Sequence, residues 1–202
     1  MYILFDLGGV LFDIDYMRTQ RAFEALGYNG FDAAYSKKVQ NEVFDAFEVG
    51  ALDEASFFNK IREYGRISAM DVEIRSAWNA MLIGLRTSKV AYVQQLVQTH
   101  KLFLLSNTNP IHLAALRTEY PLFADLEKCF TQTFYSHLIQ RRKPHAEVFR
   151  WVCAEMGATP GEVIFVDDSP QHVAGAKEAG LSAYHLPDGV EVEALLGEAL
   201  RS

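Results

Sequence analysis

The chain is poor in several things that would point its function elsewhere. Cysteine is nearly missing: Cys129 and Cys153 are the two in 202 residues. No C-x-x-C pair occurs, which excludes a zinc ribbon and a disulfide framework and suggests a reducing compartment. No stretch approaches the roughly 18 consecutive apolar residues of a membrane span. Positive charge is in the minority, 19 Lys and Arg against 26 Asp and Glu, for a net charge of −7. Nucleic acid is therefore not an expected partner, and an anionic ligand must be met by locally arranged cations. The opening Met1-Tyr-Ile-Leu-Phe-Asp6 lacks basic residues and puts a carboxylate where a signal peptide needs apolar ones. A cytoplasmic location is expected. Internal repeats and low-complexity tracts are absent too. What remains is an ordinary globular composition, half apolar and 22% charged, long enough for one sizeable core with an insertion, or for two small domains.

Short apolar runs ended by polar or turn residues organise the chain. Residues 1–5, 101–105 and 162–166 read as buried strands of a parallel sheet. Further strands are predicted over 129–135 and 181–186. Helices fall between them: one carrying Val90, Val93 and Leu96, one after Pro110, and one over 145–156. Another is opened by Ser169 and Pro170, with Gly180 at its C-terminal end, and a last one follows residue 186. Alternating strands and helices give an α/β fold with a doubly wound parallel sheet. From Asp15 to Leu85 the pattern predicts no strand and four helices. The first carries Met17, Phe23 and Leu26 and ends near Gly27; the second carries Phe44, Phe47 and Val49 and stops at Gly50. The third is capped by Asp53 and carries Phe57, Phe58, Ile61 and Tyr64; the fourth is capped by Asp71 and carries Ile74, Trp78, Met81 and Leu82. This block is an insertion into the first crossover. The expected domains are 1–14 with 87–202 as the core, and 15–86 as the inserted helices.

Four polar clusters stand beside these runs: Asp6, Ser106-Asn107, Lys143-Pro144 and Asp167-Asp168. Ligands of parallel α/β sheets bind at the carboxyl ends of the strands, so three of the four should converge there. Each has an ordinary explanation by itself: a turn cap, an Asn-rich turn over 106–109, a solvated lysine in Arg141-Arg142-Lys143, a surface acid pair. Together they supply a nucleophile-grade carboxylate, hydroxyl, amide and backbone donors for phosphoryl oxygens, and an ammonium. The acid pair suits magnesium, which takes one or two protein carboxylates with waters and phosphate oxygens. That combination is a phosphoryl-transfer site with a metal. The six histidines show no metal-ligand spacing and are expected to be structural or solvated. Trp78, Asn79 and Met81 are candidates for lining a substrate pocket.

In order, Phe5-Asp6-Leu7-Gly8-Gly9-Val10, Leu105-Ser106-Asn107-Thr108-Asn109, Arg142-Lys143-Pro144 and Phe165-Val166-Asp167-Asp168-Ser169 resemble the motifs of the haloacid dehalogenase (HAD) superfamily. Most of its members are magnesium-dependent phosphatases. The helical block has the position and size of that superfamily's four-helix cap over a Rossmann-like core. Phe47-Glu48-Val49-Gly50 with Glu54 and Phe57 is similar to a recurring cap segment. Asp13-Ile14-Asp15, Ser106–Asn109 with His112, and Glu119-Tyr120-Pro121 resemble a bacterial subgroup that includes α-glucose-1-phosphate phosphatases. The resemblance implies Asp6 as nucleophile and magnesium ligand, with the carbonyl of Gly8 and the carboxylate of Asp168 as further ligands. Asp167 would bind the ion directly or through water. Ser106 and the backbone of Asn107 would hold the phosphoryl group, and Lys143 would pair with it and with Asp6.

One position departs from the superfamily pattern. Where most superfamily phosphatases carry a second Asp, two residues after the nucleophile, as general acid and base, this chain has Gly8. A general acid is worth roughly 10²–10⁴-fold. Asp13 and Asp15 are candidate substitutes, or they only cap the first inserted helix. The expected activity is hydrolysis of small phosphate monoesters, sugar phosphates foremost, through an aspartyl-phosphate, with the inserted helices closing over the site and choosing the substrate. The competing readings are a metal-free dehalogenase, against which the acid pair argues, and a phosphate- or metal-binding regulatory protein that lost turnover with Gly8. Signalling receiver domains gather similar groups, but they carry the acid pair on the first strand and have no place for the helical insertion.

Overall fold

The computed structural model describes residues 1–35 and 42–201. Five parallel strands form one sheet in the order β5-β4-β1-β6-β7. They are β1 (Tyr2–Phe5), β4 (Lys101–Ser106), β5 (Gln132–Tyr135), β6 (Val163–Asp167) and β7 (Ser182–His185); β2 (Phe12–Ile14) and β3 (Leu82–Leu85) make a separate antiparallel pair. β1 is central, with Phe5 opposite Leu104 of β4 and Val166 of β6.

Side chains of a strand alternate between the two faces of its sheet. Ile3 and Phe5 therefore enter one buried cluster, with Leu102, Leu104, Ile164 and Val166, while Leu4 enters another, with Phe103, Leu105 and Phe165. Both faces are covered, which is why these strands read as unbroken apolar runs. The first face carries α6 (Thr87–Leu96), α7 (Pro110–Glu119), α8 (Pro121–Glu127) and α12 (Val192–Ala199); the second carries α10 (Ala146–Glu155) and α11 (Pro170–Glu178).

The inserted helices are α1 (Tyr16–Ala25), α2 (Phe31–Ala34), α3 (Glu42–Glu48), α4 (Glu54–Gly65) and α5 (Asp71–Asn79). They surround an aromatic cluster of their own. Phe47 stacks on Phe57 at 4.1 Å and Phe23 on Phe31 at 4.3 Å between ring centroids. Asp53 caps α4 as expected, accepting from the Ser56 N–H at 2.7 Å.

The structure differs from the sequence reading here in four ways. A strand, β3, lies where none was expected, paired with β2. Each has only three or four residues, too few to show a period of two, and the partners are about seventy positions apart. α5 stops at Asn79, so Met81 and Leu82 lie beyond it. Asp71 is the first residue of α5, not its cap; Met70 holds the cap position and its N–H donates to Glu73 Oε2 at 2.7 Å. Finally, the insertion contains the extra short turn α2, making five helices among the described residues. No described helix is long and apolar enough to cross a membrane.

Candidate active site

The three middle strands end in polar side chains at one edge of the sheet: Asp6 just past β1, Ser106 on β4 and Asp167 on β6. The backbone N–H of Asp6 still donates to Val166 O at 2.9 Å, holding it beside β6. Lys143 arrives from the loop between α9 (Ser136–Ile139) and α10. Its ammonium, fully buried, lies 2.8 Å from Asp6 Oδ1 and 2.6 Å from Asp167 Oδ2.

Two devices fix that loop. The Asn107 amide clamps the Lys143 backbone from both sides, Nδ2 donating to Lys143 O at 3.1 Å and Oδ1 accepting from Lys143 N at 3.0 Å. Behind it, α11 presses on the turn. A Cβ on Gly175 would stand 1.8 Å from the Pro144 carbonyl oxygen, so only glycine fits. The Lys143–Pro144 peptide is cis.

Asp167 and Asp168 are neighbours in sequence with different surroundings. The Asp167 carboxylate is fully buried and accepts from Lys143 Nζ, from Ser169 N at 2.7 Å and from His172 Nδ1 at 3.0 Å. Asp168 instead lines a cavity together with Asp6, Gly8, Ser106, Asn107 and Lys143. Gly9, at φ +76°, packs so closely that a Cβ there would fall 2.3 Å from Asp168 Oδ2. Asp6, Gly8, Ser106, Asn107, Lys143 and Asp168 thus line one cavity, with Asp167 supporting it through Lys143.

Sequence reasoning missed His172. Among the described residues Asp6, Asp167 and His172 form a group whose ligand-capable atoms lie within 4.8 Å of one another. Its one signal in sequence was its place in the first turn of the helix after the acid pair. Trp78 does not line the cavity. It is fully buried in the aromatic cluster, donates its indole N–H to Asn109 Oδ1 at 3.2 Å and stacks on His112 at 4.9 Å. Of the expected trio only Met81 reaches the cavity wall, beside Tyr16, Tyr35, Glu48 and His112. Arg142 ties this wall to the Lys143 loop through Asp45 and through Glu48 at 3.1 Å.

Neither Asp13 nor Asp15 lines the cavity that holds Asp6. Asp13 pairs with Lys89 at 3.1 Å and Arg86 at 3.2 Å. Asp15 caps α1, accepting from Met17 N at 2.9 Å. Both line a neighbouring cavity, so the expectation of a substitute acid there is corrected; for Asp15 the capping role holds. The space over Gly8 is taken by Ile14, whose Cδ1 would lie 3.0 Å from a Cβ at position 8.

The charges do not balance inside the site. Burial, and after it the Asp167 charge, push the Asp6 carboxyl up to about 8; Lys143 opposes them and Asp168 adds to them. Burial also works to raise Asp167, but Lys143 and His172 outweigh it and hold that carboxyl below its ordinary value. One ammonium thus faces three carboxylates. A divalent cation beside Asp6 would remove the imbalance, and oxygen donors around Asp6 and Asp168 suit magnesium.

A stability effect follows for the metal-free protein. The folded-state value of Asp6 stands above its ordinary 3.8, so protonated Asp6 stabilises the fold below about pH 4. That contribution is lost as pH rises toward about 8. The unfolding free energy in chelator should fall between about pH 5 and about pH 9 by an amount on the order of 3 kcal/mol, and the thermal midpoint should fall with it. Asp6→Asn should flatten this slope in melts across that range.

A haloacid dehalogenase-like hydrolase model matches residues 1–180. A D-ribitol-5-phosphate phosphatase of Bacteroides thetaiotaomicron is 29% identical over 192 residues, covering 94% of this chain and 93% of that one. A HAD family enzyme from the same organism, solved in complex with magnesium and inorganic phosphate, superposes with a TM-score of 0.90 at 29% identity, over 96% of this chain and 98% of the other. A HAD-like family hydrolase from Porphyromonas gingivalis gives 0.89 at 28% identity, over 100% and 98%. The chain belongs to the haloacid dehalogenase-like hydrolase family.

Proposed function

We propose that the protein is a magnesium-dependent phosphatase of small phosphate monoesters, sugar and polyol phosphates foremost, working through an aspartyl-phosphate on Asp6. The observation that carries this is the buried Lys143 ammonium bridging Asp6 and Asp167 at 2.8 and 2.6 Å, with Asp168 in the same cavity. The named substrate of the ribitol-phosphate phosphatase relative supports the substrate class, and the magnesium–phosphate complex of the structural relative supports the metal.

Asp6, the Gly8 carbonyl and Asp168 would hold the ion. Asp167, with its oxygens engaged by Lys143, Ser169 and His172, would bind it only through water and mainly fix Lys143. When bound, magnesium neutralises phosphoryl oxygens and lets Asp6 ionise at neutral pH. Asp6 then attacks phosphorus, the leaving alcohol departs, and water hydrolyses the acyl phosphate. Lys143 and the Ser106 hydroxyl, with the Asn107 backbone N–H, hold the oxygens on which charge builds. Residues 15–86 act as a cap that chooses the leaving group. Two free cysteines are in keeping with a cytoplasmic setting.

Phosphate release from p-nitrophenyl phosphate and a panel of sugar and polyol phosphates tests the reading. Turnover should vanish in chelator and return with magnesium. Activity indifferent to chelator would overturn it in favour of metal-free chemistry.

A further inference from the structure

The leaving-group side of this site poses a chemical problem. P–O cleavage leaves an alkoxide, and the residue at position 8 has no side chain to meet it. Ile14 fills the space above Gly8, so that wall is apolar. Asp13 is paired with Arg86 and Lys89 and Asp15 caps α1, and neither lines the catalytic cavity. His112 lines the catalytic cavity but has both nitrogens engaged. Asn109 Oδ1 accepts from Trp78 and from the His112 backbone, so Asn109 Nδ2 donates to His112 Nδ1 at 3.1 Å, and Nε2–H donates to Trp78 O at 3.1 Å. Burial pulls that ring down to about 4, so it stays neutral. His172 engages Nδ1 with Asp167 and belongs to α11 of the core. Glu48 and Asp45 pair with Arg142.

Tyr16 is different. It opens α1, two residues after Ile14, and it lines both the catalytic cavity and the neighbouring one. Tyr35 flanks the ring at 5.9 Å between centroids. Burial first, then the charges of Asp168, Glu48, Asp6 and Asp167, hold the phenol protonated. A protonated phenol lining the cavity that holds Asp6 is a hydrogen-bond donor available to an oxygen on which charge appears.

We propose that Tyr16 is a catalytic residue whose phenol O–H stabilises the departing oxygen, replacing electrostatically the acid that a glycine at position 8 cannot supply. The idea rests on the phosphatase reading above. Atoms balance without proton transfer from Tyr16. The ester oxygen leaves as RO⁻ under the phenol hydrogen bond and takes a proton from water. The resulting hydroxide attacks phosphorus of the acyl phosphate, regenerating the Asp6 carboxylate and releasing hydrogen phosphate.

The test compares leaving groups of one shape. p-Nitrophenolate disperses its charge and needs little help, whereas phenolate needs more and a sugar alkoxide most. In the magnesium-loaded enzyme, Tyr16→Phe should lower kcat/KM for phenyl phosphate at least ~10-fold more than for p-nitrophenyl phosphate, with a loss of roughly 10²-fold for a polyol phosphate. A purely structural role would lower both aryl esters alike. Equal losses, or no loss, in Tyr16→Phe would overturn the assignment while leaving the phosphatase reading intact. Failure of the wild-type enzyme to hydrolyse either ester with magnesium would sink both.

Discussion

Asp6→Asn should lower kcat by at least ~10⁴-fold while making the metal-free protein more stable above neutral pH. The first half follows from the nucleophile's role: an amide cannot form the acyl phosphate, and the remaining binding groups do not replace covalent chemistry. The second half follows from burial. Asp6 is 7% exposed and its carboxyl is pushed up to about 8, so the ionised form is the strained one. Asn resembles the protonated carboxyl in shape and keeps an oxygen for Lys143. Activity and stability therefore move in opposite directions, as expected where a site is built for chemistry and not for folding. Steady-state assays with magnesium and melts in chelator at about pH 9 measure the two halves. Retained turnover would remove Asp6 from the mechanism; a large loss of stability would show that Asp6 holds the fold together.

Lys143→Met should have the second largest effect, and here activity and stability fall together. The ammonium is fully buried against two carboxylates, and the Asp6 and Asp167 charges outweigh burial to hold it protonated. Removing it leaves two carboxylates in a dry site, a loss of about 3–5 kcal/mol. The aliphatic stem of Met keeps the packing, so the loss is electrostatic. Its pH dependence separates it from a cavity effect. Asp167 is held below its ordinary value mainly by Lys143, so its contribution is present above about pH 4 and lost below the depressed folded-state value. Without Lys143 that contribution disappears and burial, opposed only by His172, raises the Asp167 carboxyl instead, so the variant also loses stability as pH rises above about 4 and its deficit should grow from about pH 4 toward about pH 8. Turnover should drop by roughly 10³-fold, since the same group offsets phosphoryl charge. Urea unfolding across pH, with assays alongside, checks both; a deficit constant with pH would mean that packing dominates.

The two variants also separate the layers of the site. Asn107 and Gly175 touch the loop that carries Lys143, through the amide clamp and the pressed Pro144 carbonyl. The Asn107 side chain and Gly175 take no part in the reaction itself, yet each determines where the ammonium sits. Such supporting contacts make a site rigid to within fractions of an ångström.

Much of the fold and of the site is legible in the sequence. The runs at 1–5, 101–105 and 162–166 are buried on both faces, so their apolar character shows in the sequence, and the polar residue ending each must lie at the sheet edge. That is local information, and Asp6, Ser106 and Asp167 followed from it. The inserted helices were legible by their aromatic spacing. The β2–β3 pair was not, because its strands are too short to show a period and meet across the whole insertion. His172 was not, because a lone histidine carries no spacing, and only the turn of α11 brings its ring to Asp167. Trp78 misled because a large aromatic at helical spacing looks the same whether it lines a pocket or fills a core.

The chain's own order of residues determined the sheet, the edge at which chemistry gathers, and the acids and ammonium that gather there, because strand burial and strand ends are written in consecutive residues. The tertiary structure alone decided that Asp167 holds Lys143 while Asp168 faces the cavity, that Ile14 closes the space over Gly8, and that the Tyr16 phenol enters from the inserted helices. Those assignments depend on which side chains meet across tens of residues, and only the packing of one layer on another sets that.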